Sequence, residues 1–483
     1  MSNELKEELQ GAERTKVGLH RVLGRADLVL LFVVAIFNLN VVPSIVANGG
    51  VTVWLWLAVL VCFFWPQGIA VIELAERFPG EGGVYLWAKE VFGDFHGFLS
   101  GWCYWTNNLT YVPSVLLYFV GVFVFVLGAG HEKLAANKSF AVTACVLLLA
   151  FLVVLNVVGL KFGKWINNVG AIGTLIAGIV LLGLGAVVAT HFGISMHFSD
   201  LRIPANLRSV LNSFGLICYA LVGLELASTM GDEIKNPLAA VPTAVAWGGV
   251  LVGLLYLGSS LTLLMAVRRE DLDILEGIVQ AVRQMAHQLG IGWLVVPFAL
   301  FLSLSIAGIA SAWLAGPARI PFVAGLDSYM PSWLGNVHPR YGTPYAALIV
   351  HAVVSLVLVL LNFGLPGATV QESFQRLLSL SVVLQLVPFL YMFGALLKIA
   401  FGKPFVRVRH GRTRLILVGV VGCLSTALGI ALVFFPAQQI TSLFSYEVWM
   451  FGGTVFFIGI AALLFIIYGR RKRAHGVPKT LAY

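Results

Sequence analysis

Runs such as VLLYFVGVFVFVLGAG (115–130) decide most of what this chain can fold into. They are continuously apolar, whereas a transmembrane β-strand shows alternation over segments of about ten residues. An α-helix needs about 20 mainly apolar residues to cross the hydrocarbon of a bilayer. Twelve stretches meet that requirement, beginning near residues 27, 51, 97, 139, 165, 208, 241, 291, 345, 375, 415 and 445. Inside hydrocarbon every backbone N–H and C=O must find a partner within its own segment or a closed barrel. The expected fold is therefore an all-α integral membrane protein of twelve transmembrane helices. Its connections are mostly too short to hold a soluble domain. Composition agrees, since 59% of the 483 residues are apolar and 11% charged, against about 25% charged in an ordinary soluble domain.

Charge placement sets the expected orientation. With the N-terminus inside, 23 of the 31 Lys and Arg fall on the cytoplasmic side and 8 on the other, which follows the positive-inside rule. An even number of spans then leaves both termini in the cytoplasm, and the location expected is the cell (inner) membrane. Residues 1–26 are polar and mixed in charge, with neither the short apolar core nor the cleavage site of a signal peptide. They read as a cytoplasmic tail, as do residues 470–483. The basic run YGRRKRAHG (468–476) directly follows a span, where such clusters meet the anionic lipid surface, so no nucleic acid is expected as a partner. The lipid bilayer is the partner this sequence requires.

The five cysteines, Cys62, Cys103, Cys145, Cys218 and Cys423, all lie in apolar spans without metal-ligand spacing. The ten histidines show no triad or metal pattern, and His131, His191, His338 and His475 are examples of those in loops and tails. An embedded enzyme would need a cluster of acids, imidazoles or a nucleophile with its base. No enzyme, metal or cofactor is expected.

Two spans are interrupted. The first reads VVAIFNLNVVPSIVANGG (33–50), with Asn38, Asn40 and Pro43 inside it, and the sixth reads YALVGLELASTMGDE (219–233), with Gly223 and Glu225. Broken helices five spans apart are the mark of an inverted five-plus-five repeat, whose half-helix ends and freed backbone groups form a midplane site for substrate and ions. Residues 27–190 would form the first repeat, 208–400 the second, and 415–469 the last two helices. A break in hydrocarbon is tolerated only where protein buries it or a cavity receives it. Glu225 costs roughly 2.5–3.5 kcal/mol to insert even on the lenient scale, so it should face a cavity or a partner. A carboxyl withdrawn from water can titrate near neutrality, which leaves proton coupling open to it.

Three motifs carry a resemblance: VGLELASTMGDEIKNPLAAVPTA (222–244), ELAERFPGEGGVYLWAKEVFG (73–93) and IASAWLAGPARIPFVAGLDSYMPSWLGNVHPRYGTP (309–344). With them the chain resembles, over nearly its whole length, the amino acid–polyamine–organocation transporter superfamily. Within that superfamily it is similar to bacterial glutamate/γ-aminobutyrate and arginine/agmatine antiporters. The resemblance implies a leucine-transporter-like fold and an amino acid substrate. It implies that Val222, Gly223 and Leu224 are the unwound part of the sixth span, offering carbonyls to the substrate ammonium, with Glu225 as a coupling or gating carboxyl. Trp313 falls where these antiporters keep an aromatic against the substrate, and Tyr111 and Tyr219 are weaker candidates.

Two positions depart from the family pattern. The glycines that cradle a carboxylate correspond here to Ile36, Phe37 and Asn38; Asn38 and Asn40 either donate side-chain amides to substrate or cap the half-helices. Thr174 stands where some proton-driven members have a lysine, which favours exchange. No Lys or Arg lies at mid-span in the site helices, so a neutral amino acid fits most simply. The function expected is a secondary active transporter that exchanges neutral amino acids by alternating access. A proton-coupled symporter, a glutamate/γ-aminobutyrate-type or cationic amino acid antiporter, and more remotely a transporter-like receptor remain open, as does assembly as monomer or homodimer.

Overall fold

The computed structural model describes residues 28–29, 32–33, 36–78, 82–128, 130–158, 160–193, 208–225, 237–268, 271–317, 329–336, 338–341, 343–364, 369–402, 408–436 and 440–474. The tail 1–26, the sixth span beyond Glu225 and the end of the C-terminal tail lie outside them. Among the described residues there is no strand. After a short 3-10 turn (Leu39–Val41) the helices are α1 (Val42–Val46), α2 (Val51–Val59), α3 (Trp65–Arg77), α4 (Val84–Phe92), α5 (Asp94–Phe123), α6 (Lys138–Val158) and α7 (Leu160–Phe192). There follow α8 (Arg208–Ala220), α9 (Pro237–Ala266), α10 (Gly277–Gln288), α11 (Val295–Ala315), α12 (Tyr345–Gly364), α13 (Val370–Phe401), α14 (Arg412–Val433) and α15 (Leu443–Ala474). The last helix runs past the expected boundary at 469 and carries part of the basic run with it.

Nine of the described helical segments are long and apolar enough to cross a membrane. The three remaining sequence stretches are instructive. The first and sixth are interrupted, and the third is α5, 30 residues or about 45 Å long, with Thr106, Asn107, Asn108 and Thr110 all buried. Its polar content is hidden inside protein and not offered to lipid.

Helices α5 and α13 form the centre, packed along one another, and α15 lies at the edge. The share of each span buried in protein makes the same division, 72% for Val370–Phe401 and 17% for Leu443–Arg470. Exposed Leu147, Val154, Ile179, Leu254, Leu424 and Val455 face outward as a lipid-exposed bundle requires. Trp54, Trp165 and Trp293 are exposed near helix ends, where amphipathic rings suit the interface. Close approach of α7 and α11 depends on small residues: a Cβ on Gly170 would lie 2.5 Å from Gly308 Cα, and one on Gly173 would lie 2.6 Å from Phe301 O.

Prolines inside spans free carbonyls, and hydroxyls from neighbouring helices take them up. Pro66 cannot bond to Cys62 O; the chain passes through a π-helical turn at Leu60–Phe64, and Ser425 Oγ on α14 donates to Cys62 O at 2.9 Å. Pro113 likewise releases Leu109 O, which accepts from Ser355 Oγ of α12 at 3.3 Å. At one end of the bundle Glu73 joins Arg77 at 2.8 Å and His410 Nδ1 at 2.8 Å, tying the end of α3 to the segment before α14.

Candidate functional site

The first interruption begins after Ile36. Phe37 N still donates to Val33 O at 2.8 Å, but Asn38 is extended, with φ −132° and ψ 111°. Its amide leaves the helix and donates to Tyr256 Oη on α9 at 2.9 Å. The Asn38 side chain accepts from Asn40 N at 3.4 Å, capping the 3-10 turn, and its Nδ2 donates to Tyr111 Oη on α5. Asn38 thus serves both the local cap and an interhelical bond.

The second interruption follows α8. Helical bonding ends with Val222 N donating to Tyr219 O at 3.1 Å, and Gly223 takes φ +138°, a region L side chains rarely enter. A Cβ there would lie 2.7 Å from Ile36 Cγ1. The glycine is therefore required twice, by its backbone angle and by the contact between the two interrupted spans. Tyr256 fastens the same junction, its Oη lying 2.6 Å from Ile36 O and 3.1 Å from Ala220 O. One hydroxyl has one proton, so it can satisfy only one of these carbonyls at a time.

Between the two breaks lies a cavity with about 30 Å³ of space accessible to water, lined by Ile36, Asn38, Val41, Asn107, Tyr111, Tyr219, Ala220, Val222, Tyr256, Trp313 and Gln385. That holds one or two waters; an amino acid enters only with movement of the aromatic wall. In that wall Tyr111 meets Tyr219 edge-on at 5.6 Å and Trp313 at 6.0 Å between centroids. Among the described residues no carboxylate, ammonium, guanidinium or imidazole lines the cavity.

Of the residues the sequence singled out, Ile36, Asn38, Tyr111, Tyr219, Val222 and Trp313 come together on this lining. Phe37, Asn40, Gly223 and Leu224 are packed around the breaks but are not part of it. Glu225 lies behind the second break, buried, and accepts from Gly223 N at 2.9 Å, Tyr104 Oη at 3.2 Å and Gln67 Nε2 at 3.3 Å. It links the unwound backbone to α3 and α5. Thr174 Oγ1 is bonded to Gly170 O at 3.0 Å and Ser305 Oγ at 2.5 Å, joining α7 to α11 outside the cavity lining. Five lining residues, Val41, Asn107, Ala220, Tyr256 and Gln385, escaped the sequence reading. Asn107 and Gln385 had a signal, an amide in an apolar span; Tyr256 had none, since a tyrosine on a membrane helix is ordinarily packing. Among the described residues no group of His, Cys, Asp and Glu could hold a metal ion.

Residues 22–471 match the family model described as amino acid permease. An uncharacterized transporter of Legionella pneumophila is 27% identical over 91% of this chain and 96% of its own length. A probable agmatine/putrescine antiporter of Lactococcus lactis is 24% identical over 77% of this chain and 78% of its own. A serine/threonine exchanger of Bacillus subtilis is 26% identical over 61% of this chain and 65% of its own.

Proposed function

The chain belongs to the amino acid permease family, and we propose from there that it exchanges neutral amino acids across the cell's inner membrane by alternating access. It is a multi-pass membrane transporter and not an enzyme. The observation that carries the neutral substrate is the cavity lining, which among the described residues offers aromatic faces, amides and backbone groups but no charged side chain. A substrate with net charge would be desolvated there without a counter-charge, at a cost of several kcal/mol. Glu225 does not supply one, because its oxygens are engaged by Gly223, Tyr104 and Gln67 and it stands outside the lining. Among the similar proteins, one is named for serine and threonine and another for agmatine and putrescine; the uncharged lining favours the former class.

In this proposal the chain has twelve spans in an inverted five-plus-five arrangement, with both termini in the cytoplasm. Once the aromatic wall has moved to admit it, the interrupted first and sixth spans hold the zwitterion: Ile36, Phe37 and Asn38 face its carboxylate, and carbonyls of Val222, Gly223 and Leu224, the last two brought onto the enlarged lining, its ammonium. Glu225 reports occupancy of the unwound segment to α3 and α5, and proton coupling at this carboxyl is the second reading. The testing experiment is uptake of labelled amino acids by purified protein in liposomes, either empty or preloaded. Uptake confined to preloaded vesicles, with neutral amino acids exchanging for one another, is the expected result. Accumulation in empty vesicles under an imposed proton gradient would replace exchange with symport, and saturable binding without flux would indicate a receptor.

A further inference from the structure

The amide groups of the cavity have a fixed polarity, and it ends in a free donor. Asn107 Nδ2 lies 2.6 Å from the backbone carbonyl of Tyr104, which also accepts from Asn108 Nδ2 at 2.9 Å. A carbonyl can only accept, so the Asn107 atom facing it must be nitrogen. The oxygen of Asn107 then faces outward and takes the Tyr219 hydroxyl at 3.4 Å. The second hydrogen of Asn107 Nδ2 goes to Gln385 Oε1 at 2.5 Å, which turns the Gln385 amide so that its Nε2 is left over. Among the described residues that nitrogen is buried without a partner, on a residue 1% exposed that lines the cavity. A buried donor left unsatisfied costs about 1–3 kcal/mol, and a substrate acceptor can recover it.

We propose that Gln385 is a specificity-determining residue that donates through Nε2 to a side-chain oxygen of the substrate. The pocket therefore selects neutral amino acids whose side chain carries an acceptor oxygen, such as a hydroxyl, over alkyl analogues of the same size. This inference rests on the neutral amino acid reading of the same cavity. The donor addresses the side chain and not the α-carboxylate because of where it stands. Gln385 is bonded to Asn107 and not to the first break, which it reaches only through Asn107, Tyr219 and Tyr111 in succession to Asn38. A carboxylate held there would also have a single neutral donor to offset its desolvation. A cationic side chain is disfavoured for a second reason, since the amide turns a donor toward it.

The test measures half-saturation for exchange in preloaded liposomes with isosteric pairs. Threonine against valine replaces a hydroxyl by a methyl, and O-methylserine against norvaline replaces an ether oxygen, which can only accept, by a methylene. Wild-type protein is expected to favour the oxygen-bearing member of each pair about fivefold or more. Gln385→Met, of similar size and without a donor, should bring each pair within about twofold chiefly by losing affinity for the oxygen-bearing member. Equal treatment of both members by the wild type would overturn the inference while leaving neutral exchange in place. So would a Gln385→Met protein that loses valine and threonine alike, which would put Gln385 on the amino acid backbone. The ether pair needs no variant, so a failure of Gln385→Met to fold leaves that comparison decisive. A wild-type protein that exchanges none of the four would overturn the parent reading and this inference with it.

Discussion

The contact between the two interrupted spans predicts the outcome of Gly223→Ala. An L residue forced to φ +138° carries about 1–3 kcal/mol of strain. The added methyl would also lie 2.7 Å from Ile36 Cγ1, roughly 1 Å inside an ordinary carbon contact. Ile36 is 2% exposed and borders a cavity of only about 30 Å³, so overpacking adds about 1–3 kcal/mol. The two contributions sum to about 2–6 kcal/mol, to be read as a fall in the thermal transition of purified protein in detergent. Binding should weaken in parallel, because the lining residues Ile36 and Val222 are displaced, and Gly223→Leu should abolish it. The two contributions can be separated. Ile36→Ala removes the clashing Cγ1 but leaves the backbone angle, so in that background Gly223→Ala should cost only the strain of about 1–3 kcal/mol. An alanine variant with wild-type stability and affinity would refute the reasoning. The same penalty in both backgrounds would refute the steric half of it.

Three further perturbations probe other parts of the molecule. Glu225→Gln keeps the size and an acceptor for Gly223 N and Gln67 Nε2, with its amide nitrogen facing Tyr104 Oη, which can turn to accept, but it cannot titrate; expression and the thermal transition should stay near wild type while the pH profile of transport flattens, and an unchanged profile would remove Glu225 from any coupling role. Tyr256→Phe leaves Asn38 N–H and one of the two carbonyls without a partner, so stability should drop by about 1–3 kcal/mol; a transition equal to wild type would show that water or substrate-site rearrangement replaces the hydroxyl. Glu276, outside the spans between α9 and α10, is pushed up to about 8, first by burial and then by Asp273 and Glu132, with Arg283 acting the other way. The folded protein therefore holds this proton more tightly than the unfolded chain, and the stability it contributes is full below about pH 4.5 and lost as pH rises to about 8. Glu276→Gln should reduce the fall in stability over that window, read from the thermal transition, by at most about 5 kcal/mol and by less where solvent screens this partly exposed group, and an unaltered fall would refute the assignment.

Much of the site could be read from residues alone, for a physical reason that applies to few proteins. Lipid offers no hydrogen-bonding partner, so any Asn, Glu or Gly inside an apolar span is costly and must be accounted for. Asn38, Gly223 and Glu225 stood out on that ground, and the structure places all three at the interruptions of the first and sixth spans. Trp313, Tyr111 and Tyr219 were reached through the family resemblance and now meet in one aromatic wall. Tyr256 could not be found this way. Its role comes from reaching Ile36 and Ala220 together across 220 and 36 positions of chain, and nothing in its local sequence encodes that.

The sequence by itself determined the helical, membrane-spanning character of the chain and the positions where two spans break, because hydrophobic length and backbone satisfaction are local requirements. Which side of each break faces the cavity was decided by tertiary structure. Glu225 and Val222 lie three residues apart on one interrupted span, yet only Val222 lines the cavity, while Glu225 turns to Tyr104 and Gln67. Which end of the Gln385 amide is left with its hydrogen-bonding capacity unused was also settled there. It is set by a carbonyl on α5 acting through Asn107, and such polarity exists only after separate helices have packed.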